Sequence, residues 1–570
     1  ERESERERES QDDKMKDVYI LLLIAICVTL INGKKPNVVV LVVDDVGYAD
    51  MGFMGSNFPT PNVDRLVSEG VFLERMYAMP QCSPTRAALM TGRFSFRQGM
   101  QHWTTLAPGS TAAVPSEFKT IAGVMRDAGY ATHAIGKWHL GYASKKHIPT
   151  GLSFDTYLGY LQGQTDYYKH TIDACRQRAN GTTFCIYKND DETSPYGPSG
   201  AAYDFWEADE KGLRLLSNEF GKYSMDFYMK RFEDILETQR TDAEGSPIFV
   251  YFAEQTLHIP LQEPPEPIYA DMCRNVTGGT AAINRTVLCS MAARLDAAIG
   301  NVESLLKQYG IWDETVVFVY SDNGGMTEWS NQFPSSASSN FPLRGGKTTV
   351  FEGGVRSMSF VFGGALPNSA RGTRRSDLLH AVDILPTVAA LAGADISSLD
   401  KQLDGINAWG AITGDGPSVN RTELPLNIAI NRDLVMTGGE IPCFGQRCHQ
   451  INYTALIVWP YKLILGHPYM GINGENKDRG GYWTVEDYSY VPPPEAYDAT
   501  EVRLYDLEND ETEKLNLAAQ YPEIVSNMTK RIQDVWLNEK FGYRRPQLNI
   551  PHPRGNPKFH NWTWAPFLLF

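Results

Sequence analysis

The chain has no surplus of positive charge: 53 Lys and Arg stand against 68 Asp and Glu, a net charge of −15 over 570 residues. That deficit argues against nonspecific nucleic-acid binding, and an anionic substrate would need a local basic pocket in place of long-range attraction. Internal repeats are missing, which sets aside repeat architectures. The apolar run from Val18 to about Ile31 is shorter than the usual membrane span and matches the core of a secretory signal, preceded by Met15-Lys16. A retained anchor is the alternative reading, and no stable anchor is expected. The charged stretch from Glu1 to Lys14 reads as upstream translation or a disordered tail, so residues 1–33 are set aside from the fold.

Cysteine is scarce, with eight in all. Cys27 falls in the signal segment, leaving seven: Cys82, Cys175, Cys185, Cys273, Cys289, Cys443 and Cys448. An odd number leaves at least one unpaired. Six of them fall into local pairs, 175–185, 273–289 and 443–448, although connectivity stays open, and Cys82 is left over. Seven Asn-x-Ser/Thr sequons, at Asn180, Asn275, Asn284, Asn420, Asn452, Asn527 and Asn561, fit a glycoprotein of the secretory route, lysosomal or secreted.

At this length the chain exceeds one average compact domain. Val38 to Val43 is a continuous β-branched run that ends in Asp44-Asp45 and suits a central strand covered on both faces. Thr120 to Gly129 reads as an amphipathic helix and Tyr130 to Gly136 as the next strand. Pro247 to Phe252 and Thr315 to Tyr320 are further buried strands, with a helix from Ser290 to Tyr309 between them. Helix and strand alternate as in an α/β parallel sheet. Residues 149–223, rich in Tyr, Gly, Asp and Ser, are expected to be loops around a pocket mouth. From about residue 411 a hairpin (455–459 and 461–465), a strand at Arg503 to Leu507 and a helix from Tyr521 to Trp536 suggest a small antiparallel sheet with one packed helix. The expected division is 34–410 and 411–570.

The stretch that carries most chemistry is Cys82-Ser83-Pro84-Thr85-Arg86, continued to Thr91-Gly92-Arg93. Pro84 suits a first helical turn, and a helix N-terminus with Arg86 places positive potential beside residue 82. This is a candidate nucleophile beside an anion site. Taken alone, a Cys-x-Pro also suits a buried or disulfide-bonded cysteine. Two strands nearly three hundred residues apart end in oxygen donors, Asp44-Asp45 and Asp322-Asn323. Three carboxylates and an amide oxygen favour Ca²⁺ or Mg²⁺ over Zn²⁺, while either pair alone suits a turn. Lys137 and His139, two apart in Gly136-Lys137-Trp138-His139-Leu140-Gly141, can point to one side and handle an oxyanion and a proton. His258 follows another strand, and Lys347 lies in the Gly-rich basic segment Leu343 to Lys347.

Cys-x-Pro-[Ser/Thr]-Arg followed by Thr-Gly-Arg resembles the signature of the type I, formylglycine-dependent sulfatases, and Gly-Lys-Trp-His-Leu-Gly resembles their second hallmark. Threonine at position 85 stands where serine is commoner. Phe154 to Tyr160, Asp166-Tyr167-Tyr168 and the closing Trp562-Thr563-Trp564-Ala565-Pro566 are similar to the arylsulfatase B (N-acetylgalactosamine-4-sulfatase) group. The chain departs from that group's cysteine pattern, and its 331–341 segment is Ser-rich and insertion-like, which leaves the substrate open. The resemblance implies an alkaline-phosphatase-like α/β fold, a large mixed, mostly parallel sheet flanked by helices, plus the smaller C-terminal sheet.

It also implies oxidation of Cys82 to Cα-formylglycine by the formylglycine-generating enzyme and one Ca²⁺ held by Asp44, Asp45, Asp322 and Asn323 beside residue 82. Lys137 and Lys347 would bind sulfate and Arg86 would polarise the nucleophile. His139 would act as base, and His258 would assist the leaving oxygen. Arg344 and Arg356 are read as loop-structuring. The implied reaction is hydrolysis of sulfate esters, on sulfated sugars such as N-acetylgalactosamine 4-sulfate. Alternatives are small aryl or dietary sulfates, a phosphoesterase of the same superfold, an inactive sulfated-glycan binder, and a cysteine hydrolase.

Overall fold

In the computed structural model, the described residues are 35–101, 106–172, 201–242, 245–274, 283–327, 337–399, 403–428, 453–466, 502–538, 542–544, 547 and 551–568, together with short strand pairs between them. A ten-stranded sheet forms the centre. Its strands are β1 (Asn37–Val43), β2 (Val71–Leu73), β3 (Ala131–Lys137), β4 (Thr156–Tyr160), β5 (Trp206–Asp209), β6 (Gly212–Leu215), β7 (Ile248–Ala253), β8 (Thr315–Ser321), β9 (Ser359–Phe362) and β10 (Thr373–Arg375). They lie in the order β6-β5-β4-β3-β7-β1-β8-β9-β2-β10. The middle five, β4-β3-β7-β1-β8, are all parallel, and antiparallel pairs flank them.

Strand β1 is buried along its whole length, as a run without polar alternation requires. Its side chains alternate between faces. Val38, Val40 and Val42 join one hydrophobic core, which includes helix α1 (Cys82–Thr91) and the C-terminal sheet. Val39, Leu41 and Val43 join the other, which includes α2 (Ser224–Thr241) and α3 (Ile283–Gln308). Helix α3 begins seven residues before the expected Ser290, because its first turns pack on the helix Pro267–Arg274 and are tied by the Cys273–Cys289 disulfide.

The expectation of loops across 149–223 needs correction. Thr156–Tyr160 pairs in parallel with β3, and Trp206–Leu215 is a hairpin at the sheet edge. Tyr and Gly dilute the local strand signal here, and the pairing that creates the strands comes from β3, more than twenty residues earlier.

The C-terminal part holds a four-stranded antiparallel sheet, β11 (Glu423–Asn427), β12 (Tyr453–Val458), β13 (Tyr461–Gly466) and β14 (Val502–Asp506), in sequential order. Helix α4 (Pro522–Arg531) packs on it through Met528, and Arg531 pairs with Glu423. Cys82 is the free cysteine among the described residues. Cys175 and Cys185 lie opposite each other in backbone register. Their side chains, the 443–448 pair and the 1–33 signal segment fall outside the described residues. No helix among the described residues is long and apolar enough to cross a membrane.

Candidate active site

Parallel strands deliver their carboxyl ends to one edge of the sheet, where ligands collect in such folds. β1 leads into Asp44 and Asp45, and β8 into Asp322 and Asn323. Lys137 is the last residue of β3, with His139 two beyond it, and β7 leads to His258. The ladders run past the strand ends: Asp44 N–H donates to the Thr256 carbonyl and Asp322 N–H to that of Val43, both at 3.1 Å. Register set by apolar pairing deep in the sheet therefore fixes the acids at its rim.

Cys82 opens helix α1, with Pro84 in the first turn, where its missing N–H leaves no bond unmade. The helix ends at Gly92 in a left-handed conformation, φ 65°, which suits glycine. All ten residues of α1 are buried. Its N-terminal dipole thus points positive potential at residue 82 in a low-dielectric setting. The Cys82 thiol lies 3.8 Å from Asp44 Oδ1. Burial, followed by the charge of Asp322, pushes that thiol up to about 12. A protonated thiol of this kind is a poor thiolate nucleophile, which counts against cysteine-hydrolase chemistry.

Every charged side chain expected at the site converges here. Arg86 reaches Asp322 Oδ2 through Nε (2.9 Å) and Nη2 (2.8 Å), and Nη2 lies 3.7 Å from Asp44. Lys137 Nζ donates to Asp44 Oδ2 at 2.5 Å, and Lys347 Nζ contacts Asp45 Oδ1 at 2.6 Å. Asn323 donates to Asp45 Oδ1 at 2.7 Å, leaving its own buried Oδ1 without a partner. The His258 Nδ1 lies 2.6 Å from the Ile259 carbonyl. A carbonyl can only accept, so the proton sits on Nδ1 and the Nε2 lone pair faces Asp45 at 3.7 Å. His139 has both ring nitrogens buried without a partner. Asp45 and His139 adopt left-handed backbone, φ 58° and 54°, local strain that the surrounding ladders sustain.

The electrostatics follow from crowding. Burial, then Asp322, raises the Asp44 carboxyl to about 7, against the pull of Lys137. Burial also acts to raise Asp45, but the ammonium groups of Lys347 and Lys137 outweigh it and hold that group well below the carboxylate range. Burial pushes both histidines well below their ordinary value, aided at His139 by Lys137 and at His258 by Lys347. Both imidazoles are therefore neutral.

These donors fit a hard cation. Ligand atoms of Asp44, Asp45, Cys82 and His258 all lie within 4.8 Å of one another. Asp322 and Asn323 flank them, and the orphaned Asn323 Oδ1 and the electrostatically strained Asp44 are groups that a cation would satisfy. His258, expected at this site beside the leaving oxygen, also falls within reach of the same cation position. Reading the sequence missed Tyr251, whose hydroxyl accepts from Arg86 Nη1 at 3.3 Å. Arg344 and Arg356 stand apart from the site: Arg344 binds Tyr505 and the Glu513 carbonyl, and Arg356 binds Glu511.

The family model described as Sulfatase matches residues 36–394. Arylsulfatase J of Mus musculus is 31% identical over 551 residues, covering 94% of this chain and 80% of that protein. N-acetylgalactosamine-6-sulfatase of Homo sapiens is 29% identical over 558 residues, covering 94% and 90%. The crystal structure of Ps i-CgsB in complex with k-i-k-neocarrahexaose has a TM-score of 0.67 and 24% identity over 93% of this chain and 97% of that one, a likeness of fold.

Proposed function

From the premise that this chain belongs to the sulfatase family and is a sulfuric ester hydrolase, we propose that it cleaves sulfate esters of sugars with residue 82 as formylglycine and Ca²⁺ on Asp44, Asp45, Asp322 and Asn323. The observation that supports this best is the convergence of Cys82, three carboxylates and three cationic side chains at the ends of parallel strands. When present, formylglycine supplies an oxygen nucleophile and the cation supplies charge for sulfate oxygens.

The chain's own residues do the rest. Asp44, Asp45 and Asp322 are balanced by Arg86, Lys137 and Lys347, so a divalent ion leaves the pocket net positive, suited to an anionic ester. Lys137 and Lys347 bring ammonium groups to sulfate oxygens with water excluded. Arg86, held by Asp322, fixes the position of positive charge under residue 82. His258, with its Nδ1 proton held by the Ile259 carbonyl, presents Nε2 to the leaving oxygen and would donate there after first taking up a proton at that atom. Neutral His139, with free ring nitrogens, accepts a proton at residue 82.

Exposed sequon asparagines at 420, 527 and 561 support maturation in the secretory pathway, with lysosomal delivery or secretion as the destination. The test is sulfate release by purified protein from a terminal 4-sulfated N-acetylgalactosamine oligosaccharide, beside an aryl sulfate and the matching aryl phosphate. Mass spectrometry of the peptide holding residue 82 accompanies it. Release from the sugar supports the reading. Release from the aryl sulfate alone moves the substrate to small esters, and an unmodified Cys82 in active enzyme overturns the nucleophile.

A further inference from the structure

We propose that Gly163 is a positioning residue for His139: its missing side chain leaves the space that the nitrogen-bearing edge of that imidazole occupies. The inference rests on the sulfatase reading above. A Cβ built on Gly163 would stand 2.5 Å from His139 Cε1, 2.5 Å from Nε2 and 3.0 Å from Nδ1. These three atoms are the edge through which the ring accepts or donates a proton. Both nitrogens are buried and unpartnered, and Gly163 borders them.

Gly163 does not sit in the left-handed region, so its backbone is open to any L-residue. Steric contact with the ring is what an added methyl would meet. The segment bearing Gly163 cannot easily retreat. The buried Asp204 carboxylate accepts from Leu161 N–H at 3.0 Å, Gln162 N–H at 2.9 Å and Trp206 Nε1 at 2.9 Å. Gln162 Nε2 donates to Tyr142 Oη at 2.5 Å. The main chain of His139 is fixed as well: its N–H donates to the Leu161 carbonyl at 3.2 Å and its carbonyl accepts from Ser83 Oγ at 2.9 Å. With both backbones held, the imidazole is the part that must move.

The experiment compares wild type, Gly163→Ala, His139→Ala and the double variant on an aryl sulfate, with the modification at residue 82 quantified in each and a crystal structure of Gly163→Ala. For equal modification, Gly163→Ala is expected to lose about 10²-fold in kcat, with KM changed far less. The double variant should match His139→Ala alone, and the crystal should show the ring displaced. A wild-type kcat in Gly163→Ala, losses that multiply in the double variant, or an unmoved ring would overturn the inference. Wild type releasing no sulfate would instead overturn the sulfatase reading, and the ring position in the crystal would still decide whether Gly163 sets it.

Discussion

Among the described residues, two clusters of buried charge are built to opposite ends. One is the site at the strand termini. The other joins the two sheets: Lys462 Nζ on β13 contacts Glu352 Oε1 and Glu513 Oε1, each at 2.9 Å. Tyr77 donates its hydroxyl to Glu352 Oε2 at 2.9 Å, and the Glu352 N–H donates to Glu513 at 2.6 Å. At the junction the protein supplies its own partners, and the charges serve to dock one part on the other. At the site three carboxylates crowd together, one amide oxygen and two imidazole nitrogens lack partners, and backbone strain is retained. Burial of charge thus costs free energy in both places, but at the site an amide oxygen and two imidazole nitrogens stand ready for groups that the chain does not supply.

The sharpest test of that contrast is Cys82→Ala. It should fold with an unchanged melting temperature while kcat falls on the order of 10⁴-fold or more, measured on an aryl sulfate. Retained turnover would remove residue 82 from the chemistry. Lys462→Met is the mirror case. Leaving Glu352 and Glu513 buried without their cation should cost about 3–5 kcal/mol in denaturant unfolding, while kcat per folded molecule holds. An unshifted midpoint would mean the junction is not held by this pair.

The pH response of the junction gives a smaller effect. Burial pushes the Glu513 carboxyl up to about 7 despite Lys462, because one ammonium cannot neutralise two carboxylates. An unfolded glutamate titrates near 4.3, so the folded state holds this proton more tightly. The stability it contributes is present below about pH 4.3 and is lost as pH rises through 7. Wild type should therefore gain stability from pH 7.5 to 5, and Glu513→Gln should gain about 1–2 kcal/mol less. Equal gains in the two proteins would sink the assignment.

Smallest in stability is Asp44→Asn. In chelator-treated protein, relief of the crowding that raises this carboxyl to about 7 is set against loss of the buried Lys137 partner, so the melting temperature should change little. Activity in the presence of Ca²⁺ should collapse. A clear drop in stability would show that Asp44 supports the fold and not only the site.

The two clusters also differ in how far they could be read from residues alone. The site's members sit at ends of apolar runs or inside short motifs, so Cys82, Asp44-Asp45, Asp322-Asn323, Lys137 and His139 could be picked out one by one. Lys462 and Glu352 are 110 positions apart in unremarkable segments, and nothing local distinguishes them from surface charges. Gly163 is likewise silent, since its role is set by a ring twenty-four residues before it. The strand at Thr156–Tyr160 was hidden for a related reason: its identity comes from the partner β3 and not from its own composition.

By itself the amino-acid sequence determined what depends on near neighbours. The β-branched runs make strands buried on both faces, Pro84 and Gly92 bound a helix, and acids follow two of the strands. Only the tertiary structure decided that residues 44, 82, 137, 258, 322 and 347 share one buried cluster, and which lysine meets which carboxylate. Secondary structure answers to steric and hydrogen-bonding rules over a few residues. Electrostatic interaction and desolvation depend on distance and burial, which exist only once the sheet has brought remote strand ends together.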